Sequence, residues 1–471
     1  MIPRETVSAV NRFGLGAAPG QLAAVGSDPR GWLKAQLRGD AAASRYADLP
    51  SSLDYLRREA GYYRERQAAR RDGDGKDAVD SFRQRFGDDQ WREQGRRYRV
   101  AAANADGFAE RLVRFWSNHF AISVDKRAAS LYAAPMEREA IRPHLYGRYA
   151  DLLTAVESHP GMLRYLDNVR SVGADSRYAR RARQRMARAD RQRPRREVGL
   201  NENLAREILE LHTLGVDGGY SQADVTELAR AITGWGVPLP RELADGGADS
   251  AFAFRAAAHE SGVRNVVGRR YAQGGLEQGR AILADLAVHP ATARHLSYKL
   301  ARHFVADTPP PALVARLAAA WQRSGGDLAT VYAALIDSPE AWGADARKFK
   351  TPDDFVLSAL RAGGIVPGER PRALVGLLAR MGQPPFTPRS PAGYADEAAE
   401  WNGADALWKR VQAAQSLSES APEARIEPLA VAQAVFADRL DADTLSALRR
   451  AESPRSGLTM LYASPAFQWR S

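Results

Sequence analysis

Apolar residues recur at three- and four-residue spacing through most of this chain, and that periodicity is the strongest constraint on its fold. A strand needs alternation over two residues, and only two short runs show it, Ala251–Arg255 and Asn265–Tyr271. The chain therefore reads as mainly all-α: a single large multi-helix domain over residues 1–471 with one small β-hairpin near 251–271. Helices are predicted near 105–122, 129–142, 145–157, 201–214, 221–233, 275–287, 291–306, 311–323, 327–337, 352–362, 371–381 and 403–417. Residues 52–100 carry mixed charge at helical spacing, broken at Asp72-Gly73-Asp74-Gly75, which reads as a solvated helix pair. The two β runs are expected to pair with each other across the loop that holds His259 and Gly262.

Composition removes several classes of function. There is no cysteine, so disulfides, thiolate metal sites and cysteine nucleophiles are excluded. No apolar run is long enough to predict a transmembrane helix. The opening MIPRETVSAVNRFGLGAAPG lacks the apolar core of a secretory signal, so the expected location is cytoplasmic. The eight histidines include no HxxxH or HExxH spacing, and there is no GxSxG elbow, P-loop or GxGxxG after a strand. No metal site is predicted, and no visible motif requires a cofactor. The formal net charge is +11, yet only seven of the 67 basic residues are lysines, an arginine bias typical of a GC-rich genome. No helix-turn-helix, zinc-finger or RNP pattern accompanies it, so sequence-specific nucleic-acid binding is not expected. Residues 170–197 hold eleven arginines against three acids without an apolar stripe, which reads as an inserted surface loop or partial helix.

The stretch 199–219, GLNENLAREILELHTLGVDGG, is the most informative for chemistry. Asn201 is the expected N-cap, with Gly215 past the C-terminus. At about 100° per residue, Leu204, Ala205, Ile208, Leu209 and Leu211 form one arc, with Glu202, Asn203, Arg206, Glu207, Glu210 and Thr213 opposite. That polar arc is either a solvated face or, if covered, a site in which neighbouring glutamates acquire separated pKa values. Residues 107–123, GFAERLVRFWSNHFAIS, form a second amphipathic helix with His119 projecting into its apolar side. His119 is then a core histidine, or it pairs with the carboxylate arc as an acid/base couple or an incomplete metal shell. His212 falls in its helix's apolar arc and reads as core. Gly382–Tyr394, GQPPFTPRSPAGY, must be extended or turn-rich. With Trp401, Tyr394 offers a flat surface for sugar or polymer rings, or plugs this loop into the core.

These stretches resemble the bacterial DUF1800 family, proteins of unknown function. The resemblance rests on NRFGLGA at 11–17, RFWSNHFAIS at 114–123, MLRYLDN at 162–168 and NENLAREILELHTLGVDGGYSQADVTELARAITGW at 201–235. It continues through the His259/Gly262/Gly268 segment, HPATARHLSYKLARHFV at 289–305, FKTPDDFVLSALRA at 349–362 and GQPPFTPRSPAGY at 382–394. It implies a predominantly helical protein and, as an alternative location, the periplasm or cell envelope, but no established activity. The family's usual His-Asp is His259-Glu260 here, which keeps an acid in place. The 170–197 segment falls between family blocks.

Two functions follow as expectations. The first is a hydrolase or lyase acting on an envelope or extracellular carbohydrate-like polymer, with Glu207, Glu210, His119 and His259 as acid/base groups. Asn203, Arg206, Trp401 and Tyr394 would hold the substrate. The second is a scaffold or accessory protein that binds an anionic polymer or a partner protein through its arginine-rich surface.

Overall fold

Several helix starts are set by local caps that the sequence carries. Ser221 and Asp224 close a capping box on the helix Gln222–Ala231, and Asp327, Thr351, Asp441 and Ser453 each accept a backbone N–H at a helix start. His159 and His289 do the same with Nδ1, each followed by a proline at the first helical position. In a computed structural model of the chain, residues 2–470 are described apart from 40, 73–74, 189–198, 245, 344 and 424–425. The chain is 61% helical, with three small two-stranded sheets among the described residues.

The charged helix pair is Ser52–Asp72 and Gly75–Ala103, joined by Arg58–Asp89 at 2.7 Å; residues 73–74 of the expected turn lie outside the described residues. Within the arginine-rich segment, Arg177–Arg188 is a helix, and 189–197 also lie outside them. No helix of the described residues is long and apolar enough to cross a membrane.

The β pairing differs from the expected one. Ala253–Phe254 pairs antiparallel with Trp235–Gly236, and Arg264–Val266 turns back on Arg269–Tyr271. Val267 and Gly268 take φ of +49° and +71°, the two left-handed residues of a tight hairpin turn whose twist suits the strands. The second run therefore closes on itself locally, leaving the first to find a partner upstream.

Two large apolar clusters organise the helices. One is built from Phe108, Trp116, Phe120, Tyr149, Ile208, Leu300, Phe304, Trp321 and their neighbours. The other joins Val7, Val10 and Leu15 to Tyr98, Phe355, Leu360 and the helices after residue 370. Buried arginines tie distant segments together. Arg361 donates to the carbonyls of Gly16, Ala101 and Asn104, and Arg142 is bidentate on Glu110. Arg97, Tyr98 and the helix Pro352–Ala362 meet Phe115 and His119 where the two clusters adjoin, and a cavity opens there.

Candidate functional site

The cavity is about 120 Å³ and is built from five separate segments, of which the helix Gly75–Ala103 supplies Arg97 and Tyr98. The last turns of the helix Gly107–His119 supply Arg114, Ser117, Asn118 and His119. The helix Pro290–Phe304 supplies Lys299, Arg302 and His303, whose i, i+3, i+4 spacing puts them on one face. The start of the helix Pro352–Ala362 brings Asp353 and Asp354. The proline-rich loop 382–396 covers the cavity. Asn118 fixes that loop with both ends of its amide: Nδ2 donates to the Tyr394 carbonyl at 2.9 Å, and Oδ1 accepts from the Tyr394 N–H at 2.8 Å. Gly393 permits the approach, since a Cβ there would lie 2.3 Å from the Asn118 carbonyl oxygen. Phe386, with φ of +54°, sits at the cavity wall under the Arg97 guanidinium.

A one-way chain of donors starts at Lys299. Its Nζ donates to His119 Nδ1 at 2.9 Å, the His119 Nε2 lies 3.4 Å from the Tyr149 hydroxyl, and that hydroxyl donates to the His212 carbonyl. Because the tyrosine proton is committed to the carbonyl, its oxygen must accept, so His119 carries its proton on Nε2 and offers Nδ1 to the amine. Burial, reinforced by Lys299, drives the His119 pKa well below the ordinary histidine value, so the ring is neutral. Burial, with Arg302 adding repulsion, lowers Lys299 to about 8.

The acids of the cavity are answered from behind. Asp354 accepts from Arg111 at 2.8 Å and lies 3.4 Å from Arg470. Asp396 meets His303 Nδ1 at 3.0 Å, Arg470 at 3.7 Å and Lys348 at 3.9 Å. Burial alone would raise both carboxyls, but these cations hold them far below the usual carboxylate range. The Tyr98 hydroxyl donates to Asp353 at 2.5 Å. Arg114, only 9% exposed, lies 3.3 Å from Asp353 and stacks on Tyr98, yet none of its three nitrogens makes a hydrogen bond.

Of the residues singled out from the sequence, His119 and Tyr394 line this cavity. Glu207, Glu210, Asn203, Arg206, His259 and Trp401 are not among its lining residues. The helix with the carboxylate arc starts at Asn203, one residue later than a cap at Asn201 implies, although Asn201 Oδ1 still accepts from the Asn203 N–H. Glu202 pairs with Arg206 at 3.5 Å and accepts from Gln222 and Thr226, each at 2.7 Å, so that end rests on the next helix. Glu207 is half-buried, and burial, with Glu210 beside it, raises its pKa; Glu210 accepts from the Tyr220 hydroxyl at 3.3 Å. Asn203 is exposed. His212 is fully buried, its Nδ1 2.7 Å from the equally buried Glu157.

His259 is buried elsewhere, with Nδ1 donating to the Thr233 carbonyl at 3.1 Å, and Glu260 accepts from the Ala174 N–H at 2.7 Å. The Trp401 indole is buried and donates to the Ala395 carbonyl at 3.0 Å, while the Tyr394 hydroxyl donates to Pro384 at 2.5 Å. Sequence reasoning passed over Lys299, Arg114, His303 and Asp396. The usable signal was the scarcity of lysine, which makes a lysine three and four residues before Arg302 and His303 on a buried helix stand out. Among the described residues, no group of three His, Asp or Glu side chains converges to hold a metal ion.

A family model described as "Protein of unknown function (DUF1800)" matches residues 8–469. No curated protein and no solved structure matches the chain.

Proposed function

The chain belongs to the DUF1800 family, and we propose that it is a hydrolase or lyase acting on a carbohydrate-like polymer, with its proton-transfer centre at Lys299 and His119. The observation that carries this reading is the amine of Lys299 held on a neutral imidazole at a cavity wall. A general acid or base works best when its pKa lies near the operating pH, and Lys299, at about 8, meets that condition. Asp354 and Asp396 do not, because their cations keep them ionised. Lys299 then takes a proton from the substrate or an attacking water and returns it to the leaving oxygen. His119 orients the amine through Nδ1 and is itself oriented by Tyr149. The acid/base work thus moves away from Glu207, Glu210 and His259 to a pair in the covered cavity.

The test is a panel of acidic and neutral polysaccharides, read by new reducing ends and by the ultraviolet absorbance of unsaturated products. Turnover with a pH limb near 8 that disappears in Lys299→Met supports the reading. Turnover that survives Lys299→Met refutes it. A second reading, the scaffold, is favoured by the helix Arg177–Arg188, on which Arg177, Arg180, Arg181 and Arg183 are all exposed. It expects salt-sensitive polymer binding, lost when these arginines become glutamate, with no turnover on any substrate.

A further inference from the structure

We propose that the cavity binds a single oxyanionic group, a carboxylate, phosphate or sulfate, through Arg114 and Lys299. The inference names the substrate class for the reading above and rests on that reading only for the statement that the ligand is turned over.

Arg114 is the first reason. A guanidinium carries five N–H donors in a fixed fork, and each one buried without a partner is costly. Arg114 is nine-tenths buried at the cavity wall and its three nitrogens lack any hydrogen bond. The acids that feel its charge are committed elsewhere. Glu110 is bidentate on Arg142 at 2.8 and 2.9 Å, Glu137 accepts from Arg97 at 2.8 Å, and Asp353 accepts from Tyr98. Asp353 shares its charge between Arg114 at 3.3 Å, which lacks the alignment of a hydrogen bond, and Arg97 at 3.9 Å, which is too long for one. A fork left open in this way matches two oxygens of one anion.

Lys299 is the second reason, and it is independent. Among the described residues no carboxylate lies within ion-pair distance of its Nζ, and its one partner is the neutral His119. Two of its three N–H bonds are left for a ligand. Arg302, on the same face, is already bound to Glu397 at 2.5 Å, and Arg97 to Glu137. Asp354 and Asp396 are neutralised by Arg111, Arg470 and Lys348 outside the cavity, so they oppose an entering anion weakly. Arg114 and Lys299 thus keep most of their hydrogen-bonding capacity unmet, and Arg302 one donor, in a space of about 120 Å³, room for one anionic group and not for a polymer of charge.

Titration calorimetry of the full chain at constant ionic strength tests this with three probes: inorganic phosphate, inorganic sulfate and D-glucuronate. Saturable binding of at least one is expected, weakened about tenfold or more in Arg114→Gln and less in Arg114→Lys. Arg177→Gln, on the exposed arginine-rich helix, should change it less than about twofold. Preference for phosphate or sulfate identifies a tetrahedral ester group, and preference for glucuronate a carboxylate. No binding of any probe overturns the proposal. So does binding that Arg114→Gln leaves intact, or that Arg177→Gln abolishes. If Arg114→Gln does not fold by circular dichroism, Lys299→Met is read by the same criterion. Binding without turnover leaves this proposal standing and removes the enzymatic one; turnover of a neutral polymer with no anion bound does the reverse.

Discussion

Replacing Lys299 with methionine should stabilise the protein at neutral pH and destabilise it at high pH. Burial and the repulsion of Arg302 lower the amine from 10.5 to about 8. By the usual conversion, holding the ammonium in place costs the folded state about 3 kcal/mol relative to the free side chain. The sign follows from proton binding. Between pH 8 and 10.5 the unfolded chain keeps the lysine proton and the folded chain releases it, so this group's contribution to stability rises with pH across that window. Methionine fills a similar volume without charge. It also removes the donor to His119 Nδ1, a loss of about 1–2 kcal/mol that is the same at every pH. The variant should therefore be about 1–2 kcal/mol more stable at pH 7 and less stable than the parent above pH 10. Urea unfolding of both proteins at pH 7, 8.5 and 10 measures the difference, in which all other titrating groups cancel. A difference that stays flat with pH would refute the claim that Lys299 is held on a desolvated cavity wall. Stability gained where activity is lost is the pattern expected of a functional group kept in an unfavourable environment.

Other consequences follow from the same arrangement. Glu110→Leu removes the bidentate partner of Arg142, both side chains being 1% exposed, and leaves that guanidinium only the more distant Glu137 carboxylate at 3.4 Å, so it should cost about 3 kcal/mol at pH 7 by chemical denaturation. Burial raises the Glu110 carboxyl, but Arg142 outweighs it and leaves the net pKa below 4.5; the pair's stabilisation is therefore present above that pH and fades as pH falls through the lower folded value, where parent and variant should converge. Asn118→Ala removes both hydrogen bonds to Tyr394 and should cost about 2 kcal/mol, with hydrogen exchange accelerated across 382–394 while the helices exchange as before. Glu207→Gln should leave stability at pH 7 unchanged or slightly higher, because burial already disfavours the ionised form. It should leave any turnover within about threefold of the parent; a loss of a hundredfold would return the acid/base role to the carboxylate arc.

The arc itself shows how far sequence reasoning carries. Its helix, its polar and apolar sides and the Glu202–Arg206 pair are all legible from spacing. A projection at a constant angle fails after Glu207, because Ile208–His212 is a π-helical turn in which each residue advances by less than an α-helical step. Glu207 and Glu210 therefore do not keep the relation a uniform helix gives them. Ala9–Phe13 and Glu137–Ile141 are π-helical too, and nothing in their composition announces it. The β runs fail for a related reason. Their propensity is local, but the choice of partner depended on the tight turn at Val267-Gly268, where a β-branched residue takes a conformation it normally avoids.

Sequence by itself determined the helical class, most helix positions and the caps that end them, because these depend on neighbours three or four residues away. It also carried the family, through ordered blocks spread over nearly the whole chain. Only the tertiary structure decided that Lys299 meets His119 across 180 residues, that Asn118 holds a loop 276 residues away, and that Arg114 is left without a hydrogen bond. Amphipathic spacing says that a polar side exists, yet a polar side facing water and one facing a cavity have the same pattern. What distinguishes them is the desolvation supplied by segments far away in the chain, and that is a property of packing.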